Sequence, residues 1–182
     1  CASWDQFPDF ETRGKLFKET ILKYRNGLFI EKGKHIYMIG IGGISMSGIA
    51  DILVNMGYVV SGSDRASSKV TDMLIDSGVK VFIPQSKDNI TDDIDFIVYT
   101  AAIKEDNEEM VEAKRRGIPM MERGEFLGEI TKLYPNTIGI AGTHGKTSTT
   151  SMVSLIFIEA GCDPTVQVGS ILSNIGGNYR IG

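Results

Sequence analysis

Apolar segments of strand length alternate with helix-like segments from residue 35 to residue 134, and this alternation constrains the fold more than any other feature. Five segments are apolar along nearly their whole length: residues 35–41, 58–62, 79–83, 94–100 and 118–121. The clearest helix between them has apolar residues at i, i+3, i+4 and i+7, namely Ile49, Ile52, Leu53 and Met56. Strands that are apolar on both faces and separated by helices predict a parallel sheet covered on both sides. We therefore expect an α/β fold with a Rossmann-like sheet.

Three segments of different character divide the chain. Residues 1–33 concentrate aromatic side chains and predict a helical extension, and residues 34–134 contain the alternating pattern. Pro135 and Asn136 interrupt that pattern, which restarts with an expected strand at residues 137–141 and an expected helix at residues 149–160. We therefore place a domain boundary at residue 135 and predict a further α/β segment over residues 135–182.

A glycine-rich turn follows the first predicted strand, at the place where a dinucleotide-binding fold holds a pyrophosphate. Gly40 permits the tight turn, and Gly42 and Gly43 let the backbone approach phosphates closely. The third glycine of the G-x-G-x-x-G pattern is replaced by Ser45, which with Ser47 provides hydroxyl groups for phosphate oxygens. The order of strand, glycines and helix predicts a nucleotide-diphosphate site, although a tight strand-to-helix turn without a ligand would have the same pattern.

Asp64 ends the second predicted strand, 24 residues after Gly40 (64 minus 40). This spacing is close to that of an acidic residue that binds a ribose hydroxyl in such folds. A simple turn or helix-capping role would explain the same residue. Both interpretations stay open at the level of the sequence.

A second glycine-rich loop precedes the expected helix of the last segment. It consists of Gly142, Thr143, His144, Gly145, Lys146, Thr147 and Ser148, and Ile140 replaces the first glycine of the usual P-loop pattern. Loop amides can surround phosphates, Lys146 supplies a point charge, and Thr147 supplies a hydroxyl for Mg²⁺. We expect a nucleoside triphosphate with Mg²⁺ here, and His144 as a loop residue rather than a metal ligand.

The overall composition excludes several classes of partner. The net charge is −4 and there is no long basic tract, so nucleic acid is not an expected partner. No run approaches the roughly 18 apolar residues that cross a bilayer. Cys1 and Cys162 cannot form a disulfide framework, which favours the reducing cytoplasm.

The combined motifs resemble those of the Mur ligases. The resemblance rests on residues 40–50, 61–64, 98–103, 122–123, 141–147 and 168–182, and it covers about residues 34–182. Ser45 replaces a glycine that is usual in the family, and Ser148 replaces a usual threonine. Within the family, the first loop is most similar to that of the members that use L-alanine.

The resemblance implies an ATP-dependent ligase of peptidoglycan precursor synthesis. The carboxylate of UDP-N-acetylmuramate would take the γ-phosphoryl group of ATP, and the amine of L-alanine would then displace phosphate from the acyl phosphate. In this family the first domain holds the UDP part of the substrate, and residues 135–182 would be the start of a P-loop ATPase α/β domain, which the chain leaves incomplete. ATP would bind at residues 142–148, where Lys146, as the catalytic group, would stabilise the transferring phosphoryl group together with Mg²⁺ and the loop amides. The implied substrate-binding residues are Gly40, Gly42, Gly43, Ser45, Ser47, Asp64, Thr100 and Arg123.

The chain ends 35 residues after Thr147 (182 minus 147), before the later parts that such a ligase needs. We therefore expect a portion of the ligase that is inactive without the remainder of the chain. Two alternatives are a stand-alone UDP-sugar-binding module without catalysis and a nicotinamide-dependent oxidoreductase. The oxidoreductase would need a catalytic Tyr-x-x-x-Lys or similar set, which the sequence does not offer.

Overall fold

The computed structural model describes residues 30–182, and residues 31–182 form one compact unit. Nearly all of the helical extension predicted for residues 1–33 lies outside the described residues. Within residues 30–182, no helix combines the length and the apolar character that a membrane span requires.

Five parallel strands with helices between them make up the first part of the described chain. The elements are β1 (His35–Ile39), α1 (Ile44–Asn55), β2 (Val59–Ser63), α2 (Lys69–Asp76), β3 (Lys80–Phe82), a 3-10 turn (Lys87–Asn89), β4 (Phe96–Tyr99), α3 (Glu108–Arg116), β5 (Met120–Glu122) and α4 (Arg123–Thr131). The order of strands in the sheet is β3-β2-β1-β4-β5. This confirms the predicted α/β fold and its parallel sheet.

The strand order reverses between β1 and β4, which are neighbours in the sheet. From β1 the chain proceeds outward through β2 and β3, and it then returns to pair β4 with the free side of β1. Connections after β1 and β4 therefore diverge and leave a crevice at the carboxyl ends of these strands. Ligands of open α/β sheets bind in such a crevice.

The core explains why β1 is a continuous apolar run. Ile36, Tyr37, Met38 and Ile39 are completely buried, because helices cover both faces of the sheet at this central strand. One face packs against residues of β4 and α3, including Met110. Burial on both sides is what removes the polar alternation expected of a half-exposed strand.

The last part of the chain contains α5 (Lys146–Glu159), β6 (Val166–Leu172), a 3-10 turn (Ser173–Ile175) and β7 (Gly177–Arg180). β6 and β7 form an antiparallel hairpin. The expected strand at residues 137–141 is wrong, because this segment has no strand structure and no partner strand within residues 30–182. The side chain of Ile138 is 60% exposed, and an isolated apolar segment without ladder hydrogen bonds gains nothing from the extended form. The helix begins at Lys146, three residues before the predicted start.

Candidate functional site: two glycine turns

The turn after β1 is closed by hydrogen bonds to the end of β2. The backbone N–H groups of Gly40 and Ile41 both donate to the carbonyl oxygen of Ser63, at 2.8 and 3.0 Å. Gly40 has φ of +83°, and a Cβ there would lie 2.8 Å from Cγ2 of Thr100. Only glycine fits both the backbone conformation and the close approach of Thr100.

Asp64 shapes the same turn from the end of β2. Its Oδ2 accepts a hydrogen bond from the N–H of Gly42 at 2.9 Å, and its Oδ1 accepts one from the N–H of Arg65 at 2.7 Å. A Cβ at position 42 would lie 2.8 Å from Oδ2. The structure therefore gives Asp64 the turn role that was one of its two interpretations, while the ribose contact stays a prediction.

The helices differ sharply at their N-termini. α2, α3 and α4 begin with capping side chains from Ser68, Asn107 and Glu122, and each has acidic residues in its first turn. α1 and α5 begin after Gly43 and Gly145, with no side-chain cap and no acidic residue in the first turn. The two glycine turns thus leave the positive end of a helix dipole without an internal partner.

The open N–H groups of α1 can be identified individually. Those of Gly40, Ile41, Gly42 and Gly43 are used within the turn. Those of Ile44, Ser45 and Met46 have no hydrogen-bond partner among residues 30–182. Three adjacent free donors at a helix N-terminus form a site for an anion such as a phosphate.

Arg123 adds a positive charge to this turn. It is the first residue of α4, and its Nη1 donates to Oγ of Ser45 at 3.1 Å. Ser47 behaves differently, because it is buried and its hydroxyl donates to the carbonyl oxygen of Ile44 at 3.0 Å. The structure thus groups Gly40, Gly42, Gly43, Ser45, Asp64, Thr100 and Arg123 around one turn, and uses Ser47 inside α1.

The β6–β7 hairpin contacts the first turn of α1 from the other side, which the sequence did not predict. Nε2 of Gln167 donates to the carbonyl oxygen of Ser45 at 2.8 Å and to its Oγ at 3.1 Å, and Nδ2 of Asn178 donates to the carbonyl oxygen of Ile44 at 2.5 Å. Burial and a hydrogen bond to Asp51 of α1 raise the pKa of Tyr179 to about 12. The resemblance had marked residues 168–182, but nothing in the spacing indicated these partners.

The second glycine turn is exposed from residue 141 to residue 149. Gly145 has φ of +76° and precedes α5, and the N–H groups of Lys146, Thr147 and Ser148 have no partner among residues 30–182. Nζ of Lys146 donates to the carbonyl oxygens of Gly142 and Thr143, at 2.5 and 3.2 Å. The lysine ammonium group thus lies across the loop that the free N–H groups border.

Thr147 is the expected ligand of Mg²⁺, and its hydroxyl is exposed without a hydrogen-bond partner in the described part of the chain. Across residues 30–182, no group of three or more His, Cys, Asp or Glu side chains could hold a metal ion. Mg²⁺ commonly uses one or two protein ligands together with phosphate oxygens. One free hydroxyl beside three free N–H groups fits that mode. His144 is exposed in the same loop.

The sequence also did not predict a buried carboxylate next to Ser63, the residue whose carbonyl closes the first turn. Glu109 of α3 is completely buried, and its carboxylate accepts hydrogen bonds from the Tyr37 hydroxyl, the Ser63 hydroxyl, the Ser86 N–H and the Asn89 amide. Burial, together with the charge of Glu109, raises the pKa of Tyr37. In the sequence, Glu109 cannot be distinguished from its exposed neighbour Glu108, since both belong to the first turn of a helix.

His35 is the first residue of β1 and belongs to a chain of hydrogen bonds near the amino end of this strand, away from the glycine turn. Its Nδ1 lies 2.9 Å from Oδ2 of Asp93, and its Nε2 lies 2.7 Å from Oγ of Ser61. Ser61 is a β2 residue with only 4% exposure, so its hydroxyl is not accessible to a substrate. The cluster therefore links β1 and β2 to the turn before β4 and has the geometry of a structural contact.

Comparison with known proteins identifies the class. The profile described as "Mur ligase family, catalytic domain" matches residues 35–135, more than half of the chain. The chain therefore belongs to the Mur ligase family. This confirms the family that the two glycine turns and their spacing indicated.

Within the family, the chain is similar to curated proteins that share one name. The chain is 60% identical over 148 residues to UDP-N-acetylmuramate–L-alanine ligase of Lachnospira eligens, covering 81% of this chain and 32% of that protein. It is 54% identical to the ligase of the same name from Acetivibrio thermocellus, with 83% and 32% coverage. The chain thus spans about a third of the length of these curated relatives.

Solved structures show the same relationship in three dimensions. The crystal structure of UDP-N-acetylmuramate-alanine ligase from Thermotoga maritima matches with a TM-score of 0.76 and 34% identity, covering 81% of this chain and 35% of that one. A Neisseria ligase for UDP-N-acetylmuramate and L-alanyl-γ-D-glutamyl-meso-diaminopimelate matches with the same TM-score and 30% identity, covering 81% of this chain and 46% of that one.

Proposed function

We propose that this chain provides the sugar-nucleotide site and the ATP loop of a ligase that joins L-alanine to UDP-N-acetylmuramate. The observation that carries the proposal is the open N-terminus of α1, where three free N–H groups lie beside Arg123. This arrangement suits a diphosphate, and relatives with 60% and 54% identity carry the name of this ligase.

The diphosphate of the substrate would accept hydrogen bonds from the N–H groups of Ile44, Ser45 and Met46. Arg123 already donates a hydrogen bond to the Ser45 hydroxyl. On binding, its guanidinium group would donate to a phosphate oxygen instead of, or in addition to, this hydroxyl. Thr100 borders the same turn, and Asp64 keeps it in shape. The uridine would extend toward the carboxyl end of β2, where Asp64 lies.

ATP would bind at the second turn, where Lys146 and the free N–H groups of Thr147 and Ser148 surround one loop. To contact a phosphate, the Lys146 ammonium group must exchange its carbonyl partners, Gly142 and Thr143, for phosphate oxygens. Such groups stabilise the charge of a transferring phosphoryl group, which needs positioning more than a protein nucleophile. Mg²⁺, held by the Thr147 hydroxyl, would supply further neutralisation of that charge.

The proposed reaction has two steps. A carboxylate oxygen of the muramate attacks the γ-phosphorus of ATP, ADP leaves, and an acyl phosphate forms. The amine of L-alanine then attacks the acyl carbon, phosphate leaves with the C–O bond electrons, and the amine loses a proton. We propose the cytoplasm as the compartment, since ATP and the sugar nucleotide are its metabolites and the two cysteines form no disulfide framework.

We also propose that the remainder of a longer ligase chain covers α5. Met152, Ile156 and Phe157 on this helix are 58%, 66% and 37% exposed. An apolar helix face of this kind needs a covering layer. The chain spans about a third of its curated relatives, so the remaining two thirds would supply that layer together with the L-alanine site. We expect no turnover from residues 1–182 alone.

The sugar-nucleotide site can be tested by isothermal titration of the purified chain with UDP-N-acetylmuramate, UDP and NAD. We expect binding of the first two and no binding of NAD. Arg123→Met should raise Kd for UDP-N-acetylmuramate about tenfold or more, because a hydrogen bond to a charged group contributes about 1.5–3 kcal/mol.

Arg115→Met is the matched control, because Arg115 is an exposed α3 residue bonded to Glu112 rather than to the turn. Its Kd should equal that of the unchanged protein. Binding of NAD in place of UDP compounds, or equal Kd values for Arg123→Met and Arg115→Met, would contradict the proposal.

A further inference from the structure

The first turn of α1 has free N–H groups, and its carbonyl groups are bonded to the β6–β7 hairpin. Its N–H groups, those of Ile44, Ser45 and Met46, are open to a ligand. Its carbonyl groups at Ile44 and Ser45 accept hydrogen bonds from Asn178 and Gln167 of the hairpin. Because each peptide unit is rigid, a contact that fixes the carbonyl oxygens of a turn also fixes the direction of its adjacent N–H groups.

The hairpin is fitted closely to this helix. A Cβ at Gly48 of α1 would lie 3.3 Å from Cβ of Tyr179 and 3.4 Å from the side-chain nitrogens of Gln167 and Asn178. Glycine inside a helix lowers its stability relative to alanine by roughly 0.5–1 kcal/mol. The close approach of the hairpin gives a physical reason for glycine at this position.

Further contacts hold the hairpin in register with α1. Tyr179 hydrogen-bonds Asp51, two turns along the helix from Ile44. Gln167 also donates to Oγ of Ser45, the same oxygen that receives Arg123. The Ser45 hydroxyl therefore joins the hairpin, the diphosphate turn and α4 in one hydrogen-bonded group.

We propose that Gln167 and Asn178 are positioning residues that hold the diphosphate-binding turn in its binding geometry. They belong to the segment that follows the ATP loop and α5, so they link that segment to the sugar-nucleotide turn. This inference rests on the proposed function, because it takes the turn of α1 as the diphosphate site. Neither residue needs to touch the ligand.

The test uses the double variant Gln167→Met and Asn178→Ala, which removes the donors and preserves the apolar parts of the side chains. UDP is the titrant. We expect Kd for UDP to rise about tenfold, because each hydrogen bond contributes a factor of about two to ten. Asn174→Ala is the control, since Asn174 is exposed in the same hairpin without a side-chain partner in the described chain, and it should leave Kd unchanged.

Hydrogen exchange of the ligand-free protein gives a second, independent measurement. The N–H groups of residues 47–53 donate within α1, and they should exchange faster in the double variant but not in Asn174→Ala. Unchanged exchange there, or an unchanged Kd for UDP, would overturn the inference.

Two results separate this inference from the proposed function. If the unchanged protein binds no UDP, the proposed site fails, and the exchange rates alone then decide whether Gln167 and Asn178 position the turn. If UDP binds equally well to the double variant and to the unchanged protein, the site stands and the positioning role is refuted. Parallel unfolding curves exclude loss of fold as the cause of weaker binding.

Discussion

Glu109 offers a prediction whose magnitude follows directly from its contacts. Its carboxylate is completely buried and satisfies four donors, those of Tyr37, Ser63, Ser86 and Asn89. Glu109→Met keeps the length of the side chain and removes every acceptor. Tyr37 and Ser63 are themselves completely buried, whereas Ser86 and Asn89 are half-buried. Each buried donor left without a partner costs about 1–3 kcal/mol, so the two buried donors alone predict a loss of at least about 2 kcal/mol in the free energy of unfolding. Even this lower bound is a substantial part of the 5–15 kcal/mol typical of a domain.

Glu109→Gln separates the loss of acceptors from the loss of charge. An amide oxygen can still accept from three of the donors, and the Ser63 hydroxyl can rotate to accept from the new amide. The hydrogen bonds to Gln are weaker because they are no longer made to a charged group, but the protein also no longer pays to bury a charge. We therefore expect a net loss of about 1 kcal/mol in the free energy of unfolding. Glu108→Gln, one residue away on the exposed side of α3, should change stability by no more than about 0.5 kcal/mol.

The assay is urea denaturation followed by far-ultraviolet circular dichroism. For each variant, the slope of the free energy of unfolding against urea concentration is compared with that of the unchanged protein. An unchanged slope makes the shift in midpoint a measure of stability. A loss below about 1 kcal/mol for Glu109→Met would refute the reasoning, because the two buried donors, the hydroxyls of Tyr37 and Ser63, would then have found other partners. Equal losses for Glu109→Met and Glu109→Gln would show that charge, rather than satisfaction of donors, sets the cost.

Two further predictions concern the stability of the fold. Gly62→Ala should destabilise the protein by several kcal/mol, because its Cβ would clash with the Met38 carbonyl oxygen and lie 2.9 Å from Ile41. Gly128→Ala in α4 is the matched variant: its Cβ would meet nothing within 4 Å, so it should stabilise the protein by about 0.5–1 kcal/mol. The urea midpoints of both variants check this, and equal effects would contradict the geometry. Hydrogen bonds from its neighbouring arginines lower the pKa of Glu112 from 4.5 to about 2, so its contribution is present above pH 4.5 and is lost as the pH falls toward 2. The stability difference between the unchanged protein and Glu112→Gln should therefore shrink over that interval, and a difference that is independent of pH would be inconsistent with the pairing.

The sequence predicted the parts of the fold that local pattern controls. Segments apolar on both faces became the central strands, and the tight turn at Gly40 came from a residue type that alone allows φ of +83°. Each glycine turn also precedes a helix, as expected, although α5 begins three residues before its predicted start. These features follow from properties of a few neighbouring residues.

What the sequence did not predict depends on partners far away in the chain. Residues 137–141 have the apolar character of a strand, but strand structure requires a neighbouring strand, and none pairs with them within residues 30–182. The contacts of Gln167 and Asn178 with α1 join residues 122 and 134 positions apart. Glu109 is distinguished from Glu108 only by the tertiary direction of its side chain.

The central claim is that the first turn of α1 binds the diphosphate of a uridine sugar nucleotide. Its most direct test is an NMR titration of the ¹⁵N-labelled chain with UDP-N-acetylmuramate, with assignment of the backbone amides. We predict that the largest shifts occur at the N–H groups of Ile44, Ser45 and Met46, whose donors are open in the ligand-free structure. Saturable binding that leaves these three amides unshifted, or no binding at all, would contradict it.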